Sequence, residues 1–183
     1  MTFDMFYLTA FSACASFFTF FGLNLMFAAP AARTPLQLVG YILLIPLLEE
    51  ALFRFCVLRA TGRVSRNVKT AVTLQAAVFA VYHIFNPIVI PFAFLSGLCF
   101  GWLYLKSGKL DAPYIVHVAV NLTAMLRGLM PVEMTPNAVA AGLAALALGL
   151  VMQIIFLKKV KKYDDKLQLK LRKSKNTENS EGD

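Results

Sequence analysis

The residues of this chain best suited to chemistry are two adjacent carboxylates, two histidines and an asparagine, all inside apolar segments. Glu49 and Glu50 lie in the run LQLVGYILLIPLLEEALFRFCVL, and His83, His117 and Asn121 lie in later apolar runs. A carboxylate near the middle of a bilayer costs at least ~2 to 3 kcal/mol, so it usually faces a protein-lined cavity and marks a functional site. Carboxylates and imidazoles together can activate water or bind a metal ion.

The two glutamates are expected to have separate roles. On a helix, adjacent side chains point about 100° apart. Glu50 lies four residues before Arg54, the spacing and order that favours an ion pair on one helix face. We therefore expect Glu50 and Arg54 to form a structural pair, which leaves Glu49 as the carboxylate available for chemistry.

Both histidines of the chain lie in predicted spans. His83 ends the third predicted helix in FAVYH, with Phe79 one turn earlier, and His117 opens the fifth in HVAVN, one turn before Asn121. A single membrane histidine is often a hydrogen-bonding residue between helices. At 1.5 Å per residue from the predicted inner boundaries, however, these groups and Glu49 fall within one band about 12 Å thick. This convergence favours a shared polar cavity that opens toward the cytosol.

The elements that must position these residues are helices that span a membrane. The chain has 183 residues, of which 58% are hydrophobic and 15% charged, and its mean hydropathy is +0.66. A span needs about 20 apolar residues. The sequence therefore predicts an all-α, polytopic membrane helical bundle with six transmembrane helices, at residues 5–29, 36–58, 70–86, 88–105, 112–130 and 137–157. Asn86-Pro87 and Pro91 are expected to break the stretch 70–105 into a hairpin.

The predicted domain organisation is one transmembrane helical domain over residues 1–157, followed by a basic, partly disordered cytosolic tail over residues 158–183. The first apolar segment is expected to be a retained helix, because it has no basic region before it and is longer than a signal-peptide core. Cys14, Cys56 and Cys99 are scattered without CxxC spacing, so neither a disulfide framework nor a zinc ribbon is expected.

Charge indicates the orientation. Of the 18 basic residues, only Arg33 and Arg127 fall in predicted outside loops, so the positive-inside rule places both termini in the cytosol. The net charge of +8 comes from the cytosolic loops and the tail, and nucleic-acid binding is not indicated. We expect an integral multi-pass membrane protein, in the plasma membrane if the source is prokaryotic.

Three motifs occur in order on successive polar-bearing helices. EEALFR at residues 49–54 fits EExxxR, FAVYH at 79–83 fits FxxxH, and HVAVN at 117–121 fits HxxxN. This set resembles the CAAX protease and bacteriocin-processing family (CPBP, also called Abi) of intramembrane endopeptidases. Over residues 36–125 the chain is similar to the type II CAAX prenyl endopeptidase, and the resemblance implies an all-helical membrane fold.

The resemblance also implies the catalytic roles. Glu49 would activate water as the general base, and His83 would help to bind and orient that water. His117 and Asn121 would stabilise the oxyanion. Glu50 and Arg54 would have a supporting role.

The implied partners are the lipid bilayer and a membrane-embedded or membrane-associated peptide or protein, either a CAAX-like or a peptide-maturation substrate. No cofactor is favoured, because a water-activating glutamate requires no metal. Zinc is the open alternative, since Glu49, His83 and His117 could hold it. Two other functions stay open: a non-catalytic membrane immunity or scaffold protein, and an ion-coupled transporter that uses a Glu/His relay. We find no internal repeat of the kind many transporters have.

Overall fold

The computed structural model describes residues 3–27, 34–65, 67–129 and 135–180. Within these ranges every regular element is helical, and no strand occurs. The order is α1 (Phe3–Phe27), α2 (the continuous helical run 35–64), α3 (Val68–Tyr82), α4 (Ile90–Ser107), α5 (Asp111–Leu129) and α6 (Pro136–Ser180). The predicted all-α fold is confirmed, and each of the six predicted helices corresponds to one of these elements.

Three of the described helices are long and apolar enough to cross a membrane: Asp4–Met26, Ile90–Ser107 and Pro136–Val160. Val68–Tyr82 is apolar but shorter. The other two predicted spans, α2 and α5, carry most of the polar residues of the candidate site. Large apolar side chains also cover the outside of the bundle; Leu36 is 82% and Phe85 is 99% exposed, as expected for lipid-facing residues.

Helix α2 begins at a capping box and contains two wider turns. Thr34 accepts from the Gln37 N–H while the Gln37 side chain accepts from the Thr34 N–H, and Pro35 occupies the first helical position. Its α-helical turns are interrupted by π-helical segments at Gly40–Leu44 and Leu52–Val57. Pro46 follows the first of them; as a proline it has no N–H, so it removes one donor from the helix ladder.

Helices α3 and α4 form the predicted hairpin. Asn67 caps the start of α3 through the Lys69 N–H, and α3 ends at Tyr82 with His83 as its C-cap. Short turns then cover residues 83–89, where Asn86-Pro87 was expected to break the helix. The two helices pack closely because α4 carries glycine at their contact: a Cβ on Gly97 would lie 3.0 Å from the Ala76 Cα.

The hydrophobic core is built from residues of all six helices. Its buried aromatic rings are Phe53, Phe79, Phe100 and Phe156. Helix α1 packs along both α5 and α6, and a Cβ on Gly22 would lie 2.5 Å from the Gly142 carbonyl oxygen. The rings of Phe79 and Phe100 pack against the polar residues described next.

The last helix is longer than the sequence analysis expected. The predicted span was 137–157, with a partly disordered tail from residue 158, whereas α6 continues to Ser180. Residues 158–180 contain neither glycine nor proline and are rich in lysine and leucine, which favour helix. Residues 181–183 of the predicted tail lie outside the described residues.

Candidate active site

The predicted ion pair between Glu50 and Arg54 is present and fully buried. Arg54 Nε donates to Glu50 Oε2 at 2.7 Å, and Arg54 Nη2 donates to Glu50 Oε1 at 3.2 Å. Both side chains have 0% relative exposure. The two-point contact between guanidinium and carboxylate is the strong form of this pair, and it places a fixed negative charge at Glu50.

His117 contacts both glutamates. His117 Nδ1 lies 3.0 Å from Glu50 Oε1, and Nε2 lies 3.4 Å from Glu49 Oε2. The side chains of Glu49 and Glu50 point about 100° apart. One imidazole reaches both because its two nitrogens lie on different edges of the ring. Glu50 is therefore more than a partner of Arg54, since it also orients the His117 ring.

The contact with Glu50 determines how His117 uses its nitrogens. A carboxylate paired with arginine is an acceptor, so Nδ1 carries the hydrogen that is donated to Glu50. Nε2 then points toward Glu49.

His83 is held by the turn that ends α3. Its Nδ1 lies 2.9 Å from the Phe79 carbonyl oxygen. Since a carbonyl only accepts, Nδ1 is the donor, and a neutral His83 presents the lone pair of Nε2. The Phe79 ring contacts both imidazoles, with centroid distances of 4.9 Å to His83 and 5.8 Å to His117. The aromatic residue of FxxxH thus packs between the two histidines.

Asn121 connects α5 to the first π-helical segment of α2. Its Nδ2 donates to the Tyr41 carbonyl oxygen at 2.9 Å. The residue five positions after Tyr41 is Pro46, which has no N–H to offer that carbonyl in a π-helical turn. Asn121 supplies a donor there, and the bond fixes the amide group one turn from His117.

A cavity of about 160 Å³ lies beside these residues. Its wall combines groups from five helical elements and the turn after α3, and its polar side chains are Asn24, His83, Asn86, Ser96, His117 and Asn121. Phe20, Phe79 and Phe100 supply aromatic surface. Glu49 is not part of this wall; it meets the site through His117, and its side chain is 13% exposed. The structure therefore groups the predicted site residues around one cavity, with Glu49 behind the His117 ring.

The alternative zinc site does not match the geometry. Among the described residues, no three His, Cys, Asp or Glu side chains are grouped so that they could hold a metal ion. Glu49, His83 and His117 do not form such a group in this arrangement, and no step below uses a metal.

Sequence reasoning missed three contributors to the site. Ser96 and Asn24 line the cavity, and Asn24 Nδ2 donates to Thr123 Oγ1 at 2.8 Å. The Tyr41 carbonyl receives the Asn121 amide. The sequence contained one signal for the Tyr41 carbonyl. Pro46 lies inside an apolar helix, and because proline has no N–H, a carbonyl in the preceding turn needs another donor. Neither Ser96 nor Asn24 carries such a signal.

Comparison with known proteins agrees with the motif order and the geometry. Residues 30–123 match the family model described as type II CAAX prenyl endopeptidase Rce1-like. The chain belongs to this family. The matched region covers just over half of the chain and contains all three motifs and most of the cavity. No curated protein and no solved structure matches the chain at a significant level. Membership of the Rce1-like family and the three apolar helices identify the chain as a membrane protein of a protease family.

Proposed function

We propose that this protein is an intramembrane endopeptidase that hydrolyses a peptide bond of a membrane-associated peptide or protein, with a glutamate as the base and without a metal. The observation that carries the proposal is the position of His117, which is held by Glu50 at 3.0 Å and directs Nε2 to Glu49 at 3.4 Å. The proposed setting is a multi-pass protein with cytosolic termini, in the plasma membrane if the source is prokaryotic. Its substrate class is prenylated CAAX-like or maturing peptides.

The proposed first step is the attack of water. Glu49 takes one proton from the water while the water oxygen bonds to the scissile carbonyl carbon, and His83 Nε2 accepts a hydrogen bond from the remaining O–H, which stays on that oxygen. The 3.4 Å between His117 Nε2 and Glu49 Oε2 is long for a hydrogen bond. Catalytic contacts of this kind commonly tighten only when substrate binds.

The second step is stabilisation of the oxyanion and release of the product. The π electrons of the carbonyl move to its oxygen, which accepts from His117 Nε2–H and from the Asn121 amide. One such donor is typically worth about 3 to 4 kcal/mol of transition-state stabilisation. The tetrahedral intermediate then collapses, the C–N bond breaks, and the protonated Glu49 returns its proton to the leaving amine. The products are a carboxylic acid and an amine.

In this mechanism Glu50 and Arg54 act through His117. Glu50 accepts from Nδ1 and stabilises the imidazolium that donates from Nε2, while Arg54 keeps Glu50 ionised. The ring of Phe100 covers this assembly, with its centroid 5.8 Å from the Arg54 guanidinium carbon and 5.3 Å from the His117 ring centroid. Apolar surroundings strengthen each of these charge interactions.

Comparative peptidomics of membranes tests the proposal. Cells that carry the wild-type protein are compared with cells that carry Glu49→Gln, which preserves the shape of the side chain and removes the base. Asp4→Asn is the matched control, because Asp4 is an exposed carboxylate on α1 outside the site. We expect peptides or proteins whose cleavage is lost with Glu49→Gln and kept with Asp4→Asn. If the three membranes contain the same set of cleaved and uncleaved species, the peptidase proposal is wrong.

Chelation tests the metal-free step separately. Purified wild-type protein is treated with a strong zinc chelator and assayed before and after removal of the chelator. We expect activity to survive, and we expect elemental analysis to find no stoichiometric zinc. Loss of activity that zinc restores would contradict the glutamate mechanism while leaving the peptidase activity intact.

A further inference from the structure

Ser96 on α4 lines the cavity, and its buried hydroxyl has no hydrogen-bond partner among the described residues. The side chain is 1% exposed. A helical serine commonly donates to the carbonyl four residues earlier, and this hydroxyl does not. Because buried polar groups in native proteins are nearly always paired, the missing partner is a group that enters the cavity.

The position of Ser96 is fixed by the helix packing. The next residue, Gly97, approaches the Ala76 Cα, and Gly101 one turn later would place a Cβ 2.9 Å from Gln75 Oε1. Helix α4 therefore cannot move closer to α3, and the Ser96 hydroxyl is kept at the cavity wall. Its lack of a partner is a feature of the packed hairpin rather than of a loose side chain.

The other polar groups of the wall define what can bind there. A water molecule needs about 10 to 15 Å³ of such volume and two to four polar partners, so a cavity of about 160 Å³ has room for several. His83 presents an acceptor at Nε2, Asn121 carries an amide, and Ser96 can both donate and accept. This mixture suits water better than it suits a charged ligand.

We infer that Ser96 is a water-binding residue of the catalytic cavity, where its hydroxyl, together with His83 and Asn121, holds the water that is consumed in hydrolysis. This inference rests on the proposed peptidase function and adds a residue outside the three motifs. Ser96 hydrogen-bonds the water and forms no covalent bond during the reaction.

The first test is kinetic and uses Ser12 as the matched control. Ser12 on α1 is also 1% exposed with an unpartnered Oγ, but it does not line the cavity. Wild type, Glu49→Gln, Ser96→Ala and Ser12→Ala are purified and assayed with an internally quenched peptide that ends in a farnesylated CAAX box. We expect Ser96→Ala to lower kcat by about tenfold, the effect of losing one hydrogen bond, with KM nearly unchanged. Ser12→Ala should match wild type.

Ser12→Ala should unfold at the wild-type temperature or above it, because it loses an unpaired buried hydroxyl, and Ser96→Ala should stay folded at the assay temperature. If Glu49→Gln is inactive and Ser96→Ala keeps the wild-type kcat, the role of Ser96 is refuted and the peptidase proposal stands. A raised KM with unchanged kcat would also refute it, because Ser96 would then contact the substrate and not the water. An acyl ester on Ser96, found by mass spectrometry, would overturn the inference as well.

The second test does not depend on turnover. The chain has two histidines, and both line the cavity, so the imidazole nitrogen signals of the ¹⁵N-labelled protein in lipid come from these two rings. Water-edited solid-state NMR measures the transfer of magnetisation from water to these signals. We expect the transfer to fall in Ser96→Ala and to be unchanged in Ser12→Ala. Equal transfer in all three proteins would refute a water held by Ser96, even if the farnesylated peptide is not cleaved.

Discussion

Glu50 has two tasks in this site: it pairs with Arg54, and it orients His117. Its substitution by glutamine should separate these two tasks. Glu50 accepts from Arg54 Nε, from Arg54 Nη2 and from His117 Nδ1, and it has no exposed surface. Glutamine has the same shape but no charge. Glu50→Gln therefore leaves Arg54 as a buried cation without its counter-ion and leaves His117 without the carboxylate that stabilises its imidazolium.

The size of the effect follows from the burial of the pair. Removing one partner of a buried ion pair costs about 3 to 5 kcal/mol, because the other charge stays buried and uncompensated. For a chain of this length, 1 kcal/mol shifts the midpoint of thermal unfolding by roughly 2 to 4 °C. We therefore expect Glu50→Gln to lower Tm by about 6 to 20 °C. Activity in the folded fraction should fall by about 10²- to 10³-fold, as for loss of one oxyanion donor.

The double variant Glu50→Gln/Arg54→Gln tests this reasoning. It removes both charges together, so most of the lost stability should return, and the coupling energy between the two sites should reach about 1 to 3 kcal/mol. Activity should stay low, because an amide oxygen does not replace the carboxylate beside His117. Thermal unfolding in detergent and cleavage of the farnesylated peptide measure the two quantities. If the two single losses of stability simply add, or if activity returns with stability, the proposed link from Arg54 through Glu50 to His117 is wrong.

Three further predictions follow from single contacts. Asn121→Leu should lower kcat by about 10²-fold or more, because it removes an oxyanion donor together with the bond to the Tyr41 carbonyl; a kcat within a few-fold of wild type in the peptide assay would contradict this role. Gly22→Ala should cost about 1 to 3 kcal/mol in thermal unfolding, because the new Cβ meets backbone of α6, whereas Gly62→Ala, with nothing within 4 Å of its Cβ, should not destabilise; equal Tm values would contradict the close packing of α1 on α6. Gln75→Leu should keep or raise Tm, because both amide atoms of this buried residue are unpartnered in the described structure; a large fall in Tm would indicate that a bound water satisfies them.

Local features of the fold were predictable from the sequence. The Glu50–Arg54 pair lies within one helical turn, and Asn86-Pro87 ends a helix through proline chemistry that acts on neighbouring residues. The positions of the six helices follow from apolar length in the same way. Each of these features depends on residues within a few positions of one another, so a sequence pattern can report it.

Contacts between helices were not predictable in this way. His117 and Glu50 are 67 positions apart, and Asn121 and Tyr41 are 80 apart. Whether they meet depends on the rotation of α2, which its two π-helical segments change. Nothing in the spacing of EExxxR indicates that both glutamates reach one imidazole. Ser96 was missed for the same reason, since a serine in an apolar helix becomes informative only when its cavity is seen.

The geometry gives a physical reason for the spacing in each motif. Each motif contains two residues four positions apart: Glu50 and Arg54, Phe79 and His83, or His117 and Asn121. Each motif therefore places two groups on the same helix face. One member of each pair then contacts another helix: Glu50 and Phe79 both meet His117, while Asn121 reaches the Tyr41 carbonyl. Helices α2 and α3, which bear the first two motifs, therefore both contact His117. Its two nitrogens lie next to the carboxylates on α2. A substitution in EExxxR can therefore reach the oxyanion donor without touching substrate, which is why Glu50→Gln is a sharper test of this site than removal of the base itself.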